Sequence, residues 1–320
     1  LHPQWNWNRG GLVMTRHFLR DDDISPAEQA EILALAAEVK ADRFGRRPLE
    51  GPETVAVIFD KSSTRTRVSF AVGIADMGGT PLIISTASSQ LGGKETPADT
   101  ARVLERMVAA IVWRTYGQDG LEEMAKDTTV PVINALSDDF HPCQLLADLF
   151  TIQEKRGDLA GTVVCFSGDG GSNMAQSYLL ACATAGMHIR IACPEEFSPR
   201  PDVVADADAI AASTGGSVTV GTNPDELVSG AHVVVTDTWV SMGKEAEKVE
   251  RVKTFTPYQV NQALMAKADP EAMFLHCLPA DRGFEVDQAV IDGPQSAIWD
   301  ESENRLHAQK ALMLWLLQRA

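Results

Sequence analysis

Short apolar runs alternate with amphipathic stretches along nearly the whole chain. Val55-Ala56-Val57-Ile58-Phe59, Leu82-Ile83-Ile84, Ala109-Ala110-Ile111-Val112-Trp113 and Val130-Pro131-Val132-Ile133-Asn134 read as buried strands of a parallel sheet. Helical segments lie between and around them. The first has Ser25 as cap, Pro26 at its first position and Glu28 completing a capping box, and it presents Ile32, Leu33, Leu35 and Ala36 up to about residue 40. The next carries Val68, Ala71, Val72, Ala75 and Met77 until Gly78-Gly79 ends it. Further helices are expected over 96–107 and from Pro142 to about residue 155. Arg156-Gly157-Asp158 marks a boundary, after which a second series begins. Its strands are expected over 162–166, 189–192, 218–220, 233–236 and 272–275, with helices up to 185, over 202–212 and over 224–228, and the next only near Pro257. This alternation predicts an α/β protein of two doubly wound parallel-sheet domains joined by helices, over 14–150 and 151–300, with a terminal helix over 301–320 packing back on the first.

Composition narrows the picture. At 320 residues the chain exceeds one comfortable core, which agrees with two domains. A formal net charge of −16 argues against nucleic acid or an anionic membrane surface as partner. The five cysteines (143, 165, 182, 193 and 277) are odd in number, form no C-x-x-C pair and mostly fall in apolar contexts, which predicts reduced core residues in a cytoplasmic protein. No apolar run reaches transmembrane length. The first thirteen residues have neither a signal-peptide core nor periodicity and are set aside from the fold, since Met14 begins a plausible chain.

Chemistry concentrates where strands end. Lys61-Ser62-Ser63-Thr64-Arg65-Thr66-Arg67 sits on a strand-to-helix turn, with two arginines in the first helical turn. Cations are disfavoured at that positive helix end unless an anion joins them. A solvated helix start with two surface arginines is the plain alternative, but the interleaved hydroxyls of Ser63, Thr64 and Thr66 favour a phosphate site. Arg114 and Asp237 each follow a strand, and His141-Pro142-Cys143-Gln144 opens a helix, where His141 has a capping role as its plain reading. Ser167-Gly168-Asp169-Gly170-Gly171-Ser172-Asn173 approaches a dinucleotide fingerprint but puts Asn173 at the third glycine position, which argues against a nicotinamide-dependent dehydrogenase. A nucleophilic Cys277 served by His276 is disfavoured because strand neighbours point to opposite faces. No His/Asp/Glu cluster stands at ligand spacing, so neither metal nor cofactor is expected.

Ser63-Thr64-Arg65-Thr66-Arg67 resembles the carbamoyl-phosphate signature of the aspartate/ornithine carbamoyltransferase family. Asp237-x-x-x-Ser241-Met242-Gly243 and His276-Cys277-Leu278-Pro279-Ala280 narrow the resemblance to the ornithine branch, and it extends over residues 14–320. The resemblance implies that Ser63, Thr64, Arg65, Thr66, Gln90, Arg114, His141, Gln144, Cys277, Leu278 and Arg305 bind carbamoyl phosphate. It implies that Asn173, Asp237, Ser241 and Met242 bind L-ornithine, and that Arg114, His141, Asp237, Cys277 and Arg305 act in catalysis. Carbamoyl transfer to the δ-amine, arginine biosynthesis and a homotrimer with Gln90 near a subunit boundary follow from the same resemblance. Two departures stand out: Ser172 replaces a family Asn, and Asp281 stands where a second His is common. A non-catalytic paralogue, or a transferase acting on aspartate, putrescine or acetylated ornithine, is the competing reading.

Overall fold

The strands are apolar without interruption because both of their faces are covered. In β1 (Thr54–Phe59) the side chains of Val55, Val57 and Phe59 join one core and those of Ala56 and Ile58 another. The computed structural model describes residues 15–88, 91, 94–126, 128–240 and 245–319, so Gln90, Ser241 and Met242 lie outside the described residues, as do residues 1–14. Preceded by α1 (Pro26–Ala41), β1 leads to α2 (Arg65–Asp76), β2 (Thr80–Ser85), α3 (Pro97–Leu104), β3 (Ala110–Arg114), α4 (Gln118–Lys126), β4 (Val132–Leu136) and α5 (Pro142–Arg156). Then follow β5 (Val163–Ser167), α6 (Asn173–Thr184), β6 (His188–Ala192), α7 (Pro201–Thr214), β7 (Ser217–Gly221), α8 (Pro224–Val228) and β8 (Val233–Val235). The chain ends with α9 (Lys248–Phe255), α10 (Gln262–Met265), β9 (Met273–Leu275), α11 (Gln288–Ile291) and α12 (Ile298–Arg319).

The strands form two parallel sheets, ordered β2-β1-β3-β4 and β7-β6-β5-β8-β9. In each, strand order reverses once: between β1 and β3 in the first sheet and between β5 and β8 in the second. Such a reversal opens a crevice at the carboxyl ends of the two strands, because the connecting helices leave toward opposite faces. One core runs from Val57 and Ile133 of the first sheet through α1, α5, α6 and α12 to Val164 and Phe166 of the second.

α12 ties this core together. Ala308, Ala311, Leu312, Trp315 and Leu316 recur at helical spacing and are all buried, while Trp315 Nε1 donates to Glu31 of α1 at 2.9 Å. That stripe fixes the helix rotation, which in turn aims the residues one and two turns earlier toward α5.

Several elements differ from the sequence reading. The buried face of α2 is Thr66, Phe70, Gly73 and Ile74, followed by Met77, whereas Val68 is 54% exposed. The sequence stripe was phased on valine and alanine and missed the larger Phe70 and Ile74. β4 starts two residues later than the apolar run beginning at Val130, and Arg114 is the last residue of β3, bonded into the sheet and buried, instead of following it. The helix expected near Pro257 begins earlier, as α9. Its pattern misled because the inward side is made by Phe255 and a cation: Arg251 is 3% exposed. The Arg251 guanidinium donates to the carbonyl of Trp239 and to Asp169, and lies over the rings of Phe197 (4.8 Å) and Phe255 (5.1 Å). Arg251 thus pins the start of the segment after β8 to the turn after β5. Asp169→Asn keeps the shape of this pair and removes its charge, so the urea midpoint should fall by the equivalent of about 2 kcal/mol. Equilibrium unfolding against the wild type measures this, and an unchanged midpoint would mean the pair contributes nothing net.

Candidate active site

The first sheet's crevice collects cations. Arg65 opens α2 after β1, with Thr64 at the cap position, and Arg114 ends β3, across the reversal of strand order. Ser63 and Arg65 are half-buried there and Thr64 is exposed. From α12, Arg305 reaches into the same place: Nη1 donates to Gln144 Oε1 at 2.5 Å and Nη2 to Thr66 Oγ1 at 3.2 Å. Arg305 is 2% exposed. Burial lowers the Arg114 pKa to about 10, with the charges of Arg305 and Arg65 adding to the effect. Burial also lowers that of Arg305. Three guanidiniums held this close repel one another, and an anion among them removes the repulsion. Arg67 does not share in the cluster's contacts; it is exposed, with its guanidinium 4.7 Å from the centre of the Phe59 ring.

His141 stands at the N-cap position of α5, but its side chain makes no capping bond. Its backbone N–H donates to Ser177 Oγ at 2.8 Å, which fixes the start of α5 against α6. The ring is buried, and burial followed by the charges of Arg305, Arg114, Arg65 and Lys61 drives its pKa well below the usual value. The imidazole is therefore neutral at pH 7, able to donate from one nitrogen without adding a fourth full charge. Of the buried side-chain nitrogens without a partner among the described residues, three belong to this crevice: Arg114 Nε, His141 Nδ1 and Arg305 Nε. Buried nitrogens left this way are uncommon, and here three share one crevice.

The second crevice has the opposite character. Asp237 follows β8, and its Oδ1 accepts from Thr238 N at 2.7 Å and from the Cys277 thiol at 3.2 Å. Burial raises the pKa of Asp237; burial and then Asp237 itself push the Cys277 thiol well above its ordinary value. The thiol is thus a proton donor to a carboxylate and not a nucleophile. β9 ends at Leu275, so His276 and Cys277 lie in a turn and the alternation of strand faces does not apply to them. Their ligand-type atoms and those of Asp237 in fact come within 4.8 Å of one another, a cluster that sequence spacing did not reveal. His276 has partners outside this group: its Nδ1 accepts from Leu278 N at 2.9 Å, leaving Nε2 to donate to Glu285 at 3.2 Å. Leu278, with φ of 57°, is the one non-glycine residue in the left-handed region among the described residues. That backbone costs about 1 kcal/mol, and the His276 ring helps to hold it.

The two crevices meet. Arg114 feels the charges of Arg305 and Arg65 on one side and of Cys277 and Asp237 on the other. Asn173, at the first position of α6, donates from Nδ2 to the carbonyl of Ser137 at 2.7 Å, linking the turn after β5 to the loop before α5. Of the residues predicted from sequence, Thr66, Arg114, His141, Gln144, Asp237, Cys277 and Arg305 are drawn together with Arg65. Asp281 is exposed, and its backbone N–H donates to Glu285 Oε1 at 2.5 Å.

Four buried partners escaped the sequence reading: Asp148, Glu301, Tyr178 and Glu285. Asp148 lies one helical turn after Gln144, and Glu301 one turn before Arg305. A search for acids one turn from each candidate would have found both.

Residues 16–154 match the family model described as aspartate/ornithine carbamoyltransferase, carbamoyl-P binding domain, and residues 160–316 match its Asp/Orn binding domain. The chain is 72% identical over 307 residues to an ornithine carbamoyltransferase from Clavibacter michiganensis, covering 96% of this chain and 100% of that one. It is 65% identical over 306 residues to one from Leifsonia xyli, covering 96% and 98%. Among solved structures it resembles an ornithine carbamoyltransferase from Pyrococcus furiosus, with a TM-score of 0.91, 46% identity and coverage of 96% and 98%.

Proposed function

Because the chain belongs to the aspartate/ornithine carbamoyltransferase family, we propose that it moves the carbamoyl group of carbamoyl phosphate to the δ-amine of L-ornithine, giving L-citrulline and phosphate. The observation that carries this reading is the meeting of an arginine–histidine crevice with a carboxylate–thiol crevice around Arg114. Ser63, Thr64, Arg65 and Thr66, with Gln90, hold the phosphate. Arg114, His141 and Arg305 polarise the carbonyl and receive the charge that its oxygen gains when the amine adds. Gln144 and Leu278 hold the carbamoyl end. Asn173, Asp237, Ser241 and Met242 take ornithine, with Cys277 orienting Asp237 toward the δ-nitrogen. The amine's nitrogen bonds to the carbonyl carbon as the carbon–oxygen bond to phosphate breaks. No covalent enzyme intermediate is needed.

In this reading residues 14–150 with the helix over 301–320 form the carbamoyl-phosphate domain, and 151–300 the ornithine domain. The enzyme works in arginine biosynthesis, in the cytoplasm, as a homotrimer. The high relatedness to bacterial ornithine carbamoyltransferases supports this, and exposed Val68, Leu82, Val103 and Met107 on or just beyond α2, β2 and α3 support association. No helix among the described residues is long and apolar enough to cross a membrane.

Phosphate release from carbamoyl phosphate, measured with L-ornithine, L-aspartate, putrescine and N-acetyl-L-ornithine, tests the reading. Citrulline is the expected product, identified by mass; faster release with any other acceptor would overturn the choice of amine. Arg65→Ala should weaken carbamoyl phosphate binding by roughly tenfold to fiftyfold, since Arg65 is half-buried and supplies a charge-assisted contact. Calorimetry with an unchanged dissociation constant would remove Arg65 from the site.

A further inference from the structure

Both N–H bonds of the Gln144 side chain are already taken by acids. Nε2 donates to Asp148 Oδ1 at 2.8 Å and to Glu301 Oε1 at 3.0 Å. The arrangement follows from helix geometry: Gln144 and Asp148 stack one turn apart on α5, Glu301 and Arg305 one turn apart on α12, and packing the two helices closes the four into a square. The outer oxygens of the acids are held as well. Tyr178 of α6 donates to Asp148 Oδ2 at 2.6 Å, and the backbone N–H of His276 donates to Glu301 Oε2 at 2.8 Å. Each of the four carboxyl oxygens thus accepts from one donor and retains a second lone pair. Burial raises the pKa of both acids, and the charge of Asp148 raises that of Glu301 further.

With Arg305 donating to the amide oxygen, the carboxyl oxygens of the square meet the Gln144 amide through its nitrogen. Arg305 uses one of the amide oxygen's two lone pairs. The second lone pair is what Gln144 offers to a ligand. With the amide reversed, a nitrogen would stand there and would repel any ligand N–H.

We infer that Glu301 and Asp148 are positioning residues that set specificity: by accepting both Gln144 N–H bonds they present its oxygen to the substrate, selecting an acyl phosphate whose acyl carbon bears an NH2 group over one bearing CH3. This rests on the reading of the site given above. An acetyl-type ligand has the same charge and nearly the same shape but gives the Gln144 oxygen nothing in exchange for its water, which a buried acceptor penalises. Glu301 has a second effect, because the His276 N–H it accepts begins the turn that carries Cys277 and Leu278.

The probes are phosphonoacetamide and acetonylphosphonate, two unreactive phosphonates that differ only in NH2 against CH3, with inorganic phosphate as control. Calorimetry on the wild-type protein should show the amide bound about tenfold or more tighter than the ketone. In Glu301→Gln the new side chain's oxygen is claimed by the His276 N–H, so its NH2 opposes the Gln144 NH2 and pushes the amide out of the place that Asp148 and Arg305 otherwise hold it in. The amide-over-ketone ratio should then fall to within about twofold of unity, while phosphate affinity stays within about twofold of wild type. Glu301→Ala, which removes the acceptor without adding a donor, should shift the ratio in the same direction and stands in if Glu301→Gln does not fold. A wild-type ratio retained in both variants overturns the inference, as does parallel weakening of all three ligands. A wild-type ratio near unity overturns it without any variant. If neither phosphonate nor phosphate binds the wild type, the reading of the whole site falls with it.

Discussion

Arg305→Ala is expected to lower kcat by about a thousandfold, equivalent to about 4 kcal/mol of transition-state stabilisation. The size follows from burial. Arg305 is 2% exposed and bridges Gln144 Oε1 and Thr66 Oγ1, so no water stands ready to replace its donors. Its Nε has no partner among the described residues, which leaves a further donor for the oxygen of a bound acyl group. The fold should survive, because α12 is anchored by the stripe from Ala308 to Leu316 and not by its guanidinium. Removing the charge also relieves repulsion felt by Arg114 and His141. Arg305→Lys should recover little, since an ammonium cannot reproduce the fork that spans two partners. Added guanidinium should restore part of the rate in Arg305→Ala. Steady-state and single-turnover kinetics give the measurement; a kcat within tenfold of wild type would mean the carbonyl is polarised by Arg114 and His141 alone.

Local signals in the sequence reached far into this fold. Continuous apolar runs bounded by polar turns mark β1, β3 and β5 because both faces of each strand are buried, and Ser25-Pro26-Ala27-Glu28 forms the capping box expected of it. What failed was burial by chemistry that hydrophobic patterns ignore. α9 hides a guanidinium against two phenylalanines, and the stripe of α2 includes Gly73 and Thr66, which no apolar count rewards. The site divides in the same way. Residues at strand ends and helix starts, such as Arg65, His141 and Asp237, stand where chain order already puts ligand groups. Asp148, Glu301 and Glu285 act from within helices or beyond loops, as partners of partners, and only the packing of α5 on α12 and the turn after β9 shows what they hold. The gathering of Asp237, His276 and Cys277 was hidden for another reason: spacing along the chain does not report that β8 and β9 are neighbours in the sheet.

Asp237→Asn should lower kcat/KM for ornithine by at least about three hundredfold, roughly 3.4 kcal/mol, while leaving carbamoyl phosphate affinity within about twofold. The substitution preserves volume and the oxygen that accepts from Thr238 N and the Cys277 thiol, but it removes the negative charge. The proposed substrate amine arrives as an ammonium and attacks only once neutral. A half-buried carboxylate binds the charged form, fixes its direction and keeps the nitrogen on line as the proton leaves. Burial raises the pKa of Asp237, so its ionised form is lost from the acid side earlier than for an ordinary aspartate. The wild-type kcat/KM for ornithine should therefore climb with pH through the titration of Asp237 and continue to climb as the amine deprotonates. In Asp237→Asn the first part of that rise should vanish and the second remain. A pH series with both proteins, at saturating carbamoyl phosphate, separates the two limbs. If the variant instead bound carbamoyl phosphate poorly and kept its rate with ornithine, Asp237 would belong to the phosphate half of the site and the direction of the amine would have to be reassigned.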